Sequence, residues 1–160
     1  MPDITTVKDI NRIFKNISER HLQINSYGWG ANWEITTEEK TYSLLWVTPA
    51  DAEMIKSESN DRYTSLNITL SVKVLDLVKK DESNEKDVES STLQILTDVI
   101  NEFNDHSFYQ NKNMELEGNV TLEPLDEFTD DNLTGWQSNI TIRMRNITSS
   151  CGIPVSGDPT

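Results

Sequence analysis

The stretch that most constrains the fold is the apolar alternation from Tyr63 to Val78. Leu66, Ile68, Leu70, Val72 and Val74 fall on every second residue, while Asn67, Thr69, Ser71 and Lys73 fill the other register. Successive side chains of a strand point to opposite faces. This spacing therefore predicts one packed face and one face that meets water or another subunit. After a charged gap, Val88, Leu93, Leu96, Val99, Ile100 and Phe103 recur at helical spacing, which predicts an amphipathic helix over about residues 88–104. A long strand and one such helix bury each other's apolar faces. The pair is the expected core, with Leu70 and Val72 beneath Leu96 and Ile100, and the remaining strands extend the same sheet.

Before this pair, Val7, Ile10, Ile13, Phe14 and Ile17 form one stripe and Lys8, Arg12, Lys15 and Glu19 face away. That pattern predicts a helix over about residues 6–22, opened by Thr6 with Asp9 three residues on. His21 ends the stripe. It reads as a part-buried histidine near a helix C-terminus, since no second metal ligand sits at helical spacing. Tyr27, Trp29, Ala31, Trp33 and Ile35 alternate next, followed by the polar turn 36–41 and then Tyr42, Leu44 and Trp46. A hairpin over about 27–47 is the expectation, with Gly28 and Gly30 marking a bulge or a close approach on its other face. The aromatic row reads as packing in the sheet or between subunits rather than as a stacking platform for bases, because no basic residues interleave with it. Pro49 stops the run, and residues 49–61 are expected as a polar excursion.

Lys79 to Asp87 is a charge run, expected as a solvated connection. Beyond the second helix, Met114, Leu116, Gly118, Val120 and Leu122 alternate against Glu115, Glu117, Asn119, Thr121 and Glu123, and Pro124 ends the strand. Residues 126–132 form an acidic loop without the central Gly and distal Glu of a helix–loop–helix calcium site. Trp136, Ile140, Ile142 and Met144 then define a last strand over about 134–145, and the segment after Thr148 has turn composition. Helix, hairpin, long strand, helix, hairpin is the order of an α+β fold: two layers, with a mostly antiparallel sheet carrying two helices on one face. One domain over residues 1–150 and a C-terminal tail 151–160 are expected.

Composition narrows the function. The chain has 160 residues, with 14 basic and 27 acidic, for a formal charge of -13. A field of that sign repels nucleic acid and anionic membrane alike. There is no apolar run of the roughly 20 residues a spanning helix needs, and the first residues lack the basic start and apolar middle of a signal peptide. A cytosolic site of synthesis is expected, and the single Cys151 agrees with it. The six Asn-x-Ser/Thr sequons then carry no glycan. No Gly-rich phosphate loop, paired-Cys motif or His-Glu-x-x-His occurs, and Cys151 reads as a plain thiol rather than a nucleophile beside His21 or His106. No enzyme activity, cofactor or metal is expected.

Four blocks resemble a known group. They are Val99–Phe103, the strand Glu117–Leu125, the acidic Phe128-Thr-Asp-Asp-Asn-Leu-Thr-Gly-Trp136, and the closing strand that runs into Cys151-Gly-Ile-Pro154. Together they are similar to small structural proteins of tailed phages of Bacteroidota-type hosts, including crAss-like phages. The resemblance spans about residues 60–154, and the charged stretch 79–87 departs from it. The layout of the whole chain is also similar to tail-terminator and head–tail-joining proteins, so the implied fold is tail-terminator-like. What the resemblance implies is assembly. A homo-oligomeric ring caps the tail tube or joins it to the neck, contacts neighbouring portal, neck or tail proteins, and passes DNA without binding it specifically. The implied location is the virion, after synthesis in the bacterial host cytoplasm. Of the two acidic loops, that with Asp126, Glu127, Asp130 and Asp131 is expected to line the lumen. Trp29, Trp33, Trp46 and Trp136 are expected as packing or interface aromatics. The alternative is a soluble module that holds a peptide or glycan on Trp29, Trp33 and Trp46.

Overall fold

The long alternating stretch is the middle strand of the sheet. The computed structural model describes residues 7–36, 41–59, 61–79, 81, 83–110, 114–125 and 133–145. In chain order the elements are α1 (Val7–Arg20), β1 (Ser26–Trp29), a 3-10 turn (Asn32–Thr36), β2 (Leu44–Lys56) and β3 (Tyr63–Leu77). Then come α2 (Glu85–Gln110), β4 (Met114–Leu116), β5 (Leu122–Leu125) and β6 (Leu133–Arg145). The sheet runs β1-β2-β3-β6-β4, and β5 pairs β6 alongside β4. All pairings are antiparallel except β1 with β2, which is parallel. The α+β class is as the sequence predicts.

Both helices cover one face. Ile68, Leu70, Val72 and Val74 of β3 are buried with Leu45 and Val47 of β2 and Ile140, Ile142 and Met144 of β6. Leu96, Val99, Ile100 and Phe103 of α2 close over them, as the helical spacing requires. α1 adds Ile10, Ile13, Phe14 and Ile17, and its Phe14 ring stacks on Phe103 with centroids 4.6 Å apart. Glu85 and Asp87 lie in the first turn of α2, where negative charge complements the helix dipole. Asn84 ties the entry of α2 to β3, its Oδ1 accepting from the Lys79 N–H at 2.7 Å.

Several boundaries and pairings differ from the sequence reading, each for a local reason. Tyr27–Ile35 is not one strand. β1 ends at Trp29 because the Trp46 indole N–H bonds the Gly30 carbonyl at 3.0 Å, and the chain then turns into the 3-10 segment. β1 and β2 therefore run parallel, with Tyr27 opposite Leu45, and the expected 27–47 hairpin does not form. Pro49 does not end β2, which continues to Lys56 and makes the hairpin with β3 instead. The proline sits at a ladder irregularity on the half of β2 that β1 does not reach, where a missing N–H is tolerated.

Later in the chain, α2 starts earlier than Val88, so the charge run ends as helix, and it continues past Asn104 to Gln110. Asn, Asp and His are weak helix formers but do not stop a helix as Gly or Pro would. The 114–123 alternation is split into β4 and β5 around Gly118, whose φ of 64° suits glycine. Pro124 lies inside β5, opposite Trp136.

The largest departure concerns the second register of β3. It is not polar throughout. Leu44, Trp46, Leu75 and Leu133 form a second buried cluster on the face away from the helices, capped by Ile35 from the 3-10 turn. Lys73, expected to meet water or a subunit, is 2 % exposed and stands between Trp46 and Gln137.

Candidate functional site

The face of the sheet away from the helices has a closed half and an open half. The closed half is the Trp46 cluster. Gly28 makes it possible, because the Trp46 ring lies across it and a Cβ there would stand 2.1 Å from the indole. The open half begins where β1 stops. Thr48–Lys56 of β2 has no strand on its outer side among the described residues, and its positions are mostly exposed.

Register assembles two rows across this open half. Asp51 stands beside Thr69 and Thr141, and Glu53 beside Asn67, Arg143 and Glu115. They enclose a shallow groove of about 380 Å³, floored by Asn67, Thr69 and Thr141 and walled by Asp51, Glu53 and Glu117. At the β4 side the acids are neutralised. Arg143 Nη1 donates to Glu117 at 3.3 Å, and Arg145 Nη2 donates to Glu115 at 2.6 Å. At the β2 side Asp51 and Glu53 are exposed, and neither has an ion pair among the described residues. Asn67 Oδ1 and Arg143 Nε, on cross-strand neighbours in the floor, are buried without a hydrogen-bond partner among the described residues. The groove thus offers carboxylates without ion-pair partners among the described residues on its β2 wall, and little to an anion.

A second concavity, about 550 Å³, lies where α1 ends against α2 and is lined by Ile17, Arg20, His21, Leu22, Gln23 and Glu102. His21 is held on both sides. The Gln23 backbone N–H donates to Nδ1 at 3.2 Å, which assigns the proton to Nε2, and Nε2 donates to Asp98 at 3.0 Å. Asp98 also accepts from Gln94 at 3.1 Å, and Arg20 bridges to Glu102 at 3.3 Å. Both imidazole nitrogens are thereby used, Nδ1 within the loop after α1 and Nε2 across to α2. The side chain is 15 % exposed, which matches a part-buried histidine at a helix end. No group of three or more His, Cys, Asp or Glu among the described residues is placed to hold a metal ion.

Two further groups are electrostatically unusual. Burial pushes the Lys73 amine down to about 8, and its Nζ bonds Ser71 Oγ at 2.8 Å. Burial also raises the Tyr27 hydroxyl well above its ordinary range, while it donates to Asn11 Oδ1 at 2.6 Å.

The tryptophans are dispersed. Trp29 packs half-buried on the helix side, Trp46 is buried on the opposite face, and Trp33 is 68 % exposed on the 3-10 turn. Trp136 packs partly buried toward α2 and donates its indole N–H to the Glu89 carbonyl at 3.0 Å. Asp126, Glu127, Asp130, Asp131 and Cys151 lie outside the described residues. Sequence reading missed the groove because it depends on which strands pair. The only signal was the polar register itself, Asn67-x-Thr69 on β3 and Asn139-x-Thr141-x-Arg143 on β6. No helix among the described residues is long and apolar enough to cross a membrane. Compared with known proteins, the chain matches no family model and no curated protein.

Proposed function

We propose that the chain is a virion structural protein that forms a ring at the neck or tail of a tailed bacteriophage, as a tail terminator or head–tail connector. DNA passes through the lumen, which the segment with Asp126, Glu127, Asp130 and Asp131 lines. The observation that carries this reading is the outer edge of β2 from Thr48 to Lys56, unpaired among the described residues and exposed on a strand central enough to hold the sheet together. A long bare strand edge invites another chain, and a protein that keeps one uses it or shields it. The polar groove beside that edge is built for contact with a polar surface. The net charge of -13 suits a conduit that must not retain phosphate. The resemblance of residues 60–154 to tailed-phage structural proteins supplies the rest.

The test is a reconstruction of purified virions with this chain located in the density. The expected result is a closed ring at the neck or tail, with the 126–131 segment facing the channel. Finding the chain outside any ring rejects the reading. Replacing Asp126, Glu127, Asp130 and Asp131 with Asn or Gln should leave ring formation intact and slow genome delivery. The exposure of Trp33 is the observation that favours a peptide- or glycan-binding module. That alternative gains if the protein stays monomeric and Trp33 fluorescence responds to a peptide or glycan array hit.

A further inference from the structure

α1 and the far face of the sheet carry opposite charge and point in opposite directions. Lys8, Arg12 and Lys15 recur at three- and four-residue spacing on α1, and all are exposed. Ile10, Ile13, Phe14 and Ile17 occupy the buried side, so the basic stripe lies on the opposite, outward side of α1. Arg12 also holds Asp9 at 2.9 Å, and Glu19 follows at the end of the stripe, but the stripe remains positive in a chain of net charge -13. On the reverse side of the sheet, Asp51 and Glu53 stand exposed beside the groove, while Glu115 and Glu117 are already matched by Arg145 and Arg143.

We propose that these two surfaces meet between copies of the chain: the Lys8–Arg12–Lys15 stripe of one copy docks on the Asp51–Glu53 groove of the next. The contact rests on the ring reading and supplies the geometry it needs. Because the two patches lie on opposite sides of one molecule, the contact is head-to-tail. Repeated, a head-to-tail contact closes into a ring where its rotation divides a full turn and runs on as a filament where it does not, and the ring reading takes the first case. A two-fold contact through either patch would set like charges against each other, which complementary interfaces avoid. The overall negative charge opposes approach at long range. Association then depends on this local match and responds to salt.

The test is sedimentation velocity of the full chain at millimolar concentration and low ionic strength, with circular dichroism as the control for folding. The wild type should self-associate. Lys8→Glu with Lys15→Glu, and separately Asp51→Lys with Glu53→Lys, should each weaken association by about tenfold or more, as reversed interfacial charges do. Their melting curves should stay near wild type, because exposed charges add little to stability. An equimolar mixture of the two variants should regain association, since each then presents what the other's reversed patch requires. The fourfold variant should regain it alone. A wild type that stays monomeric, variants that associate like wild type, or a mixture that fails to recover overturns the contact. A virion ring whose neighbours touch through other surfaces overturns the contact and leaves the ring standing. Rescue by the mixture, in a chain that no virion ring contains, leaves the contact standing and removes the ring.

Discussion

Lys73→Met should make the protein more stable at neutral pH. Lys73 is 2 % exposed, flanked by Trp46 and Gln137, and its amine is pushed from 10.5 to about 8 by burial. At pH 7 the amine is charged in both states, and the folded state bears the cost of holding it away from water. A shift from 10.5 to about 8 corresponds to about 3 kcal/mol at about 1.4 kcal/mol per pH unit. Methionine fills a similar volume without the charge. It forfeits the bond to Ser71 Oγ, a loss of about 1 kcal/mol. The net expectation is a gain of about 2 kcal/mol, or about 4–8 °C in melting temperature for a chain of this size. The pH dependence gives a second reading. The folded-state value lies below the unfolded one, so between about 8 and 10.5 the unfolded chain binds more protons. Wild-type stability should therefore rise across that window relative to the variant, and the advantage of methionine should fade by the top of it. Urea denaturation of both proteins at pH 7 and near pH 10 measures this directly. A methionine variant less stable at pH 7, or an advantage unchanged with pH, would refute the burial of a charged amine at this position.

Other substitutions probe the two buried clusters. Gly28→Ala should cost about 1–3 kcal/mol in urea unfolding, because the new methyl occupies space held by the Trp46 ring. The Trp46 near-ultraviolet signal should change with it. Leu70→Ala, at a fully buried position under the helices, should cost about 2–5 kcal/mol; an unchanged melting temperature would contradict the observed core. Trp136→Phe should cost about 1 kcal/mol by removing the indole bond to the Glu89 carbonyl, and hydrogen exchange in the first turns of α2 should rise.

The helices and the long strand were legible because their signals are periodic and local. Ile10 to Ile17 and Leu96 to Phe103 each mark one side of a helix, and Leu66 to Val74 marks one side of a strand. Pairing was not legible where it depended on distant residues. The expected 27–47 hairpin gave way to a parallel pair because Trp46, a neighbour only in space, takes the Gly30 carbonyl. Pro49 signals a strand end only where its N–H is needed, and whether it is needed depends on how far β1 reaches along β2. The groove was invisible for the same reason. Asp51, Glu53, Asn67 and Arg143 come from three strands, and one register places them together.

The second register of β3 links these misreadings to the proposed assembly. Along it the residues change from Leu75, through Lys73, to Ser71, Thr69 and Asn67. The first belongs to the closed cluster under the 3-10 turn, and the last three belong to the open half of the face. Lys73 stands at the boundary. Its stem lies among the residues beside Trp46, and its amine reaches outward to Ser71 on the polar side. A surface meant only for water would not need a lysine buried at its margin. An ordinary solvent face places its cations outside, where hydration costs nothing. The intramolecular closure of the face stops here because the 3-10 turn and β1 reach no further along β2. Beyond that line the same strand continues for more than half its length with its outer edge bare among the described residues. The cover that the described residues do not supply to this half is what a neighbouring copy is proposed to supply, through a helix whose outward stripe carries the complementary charge.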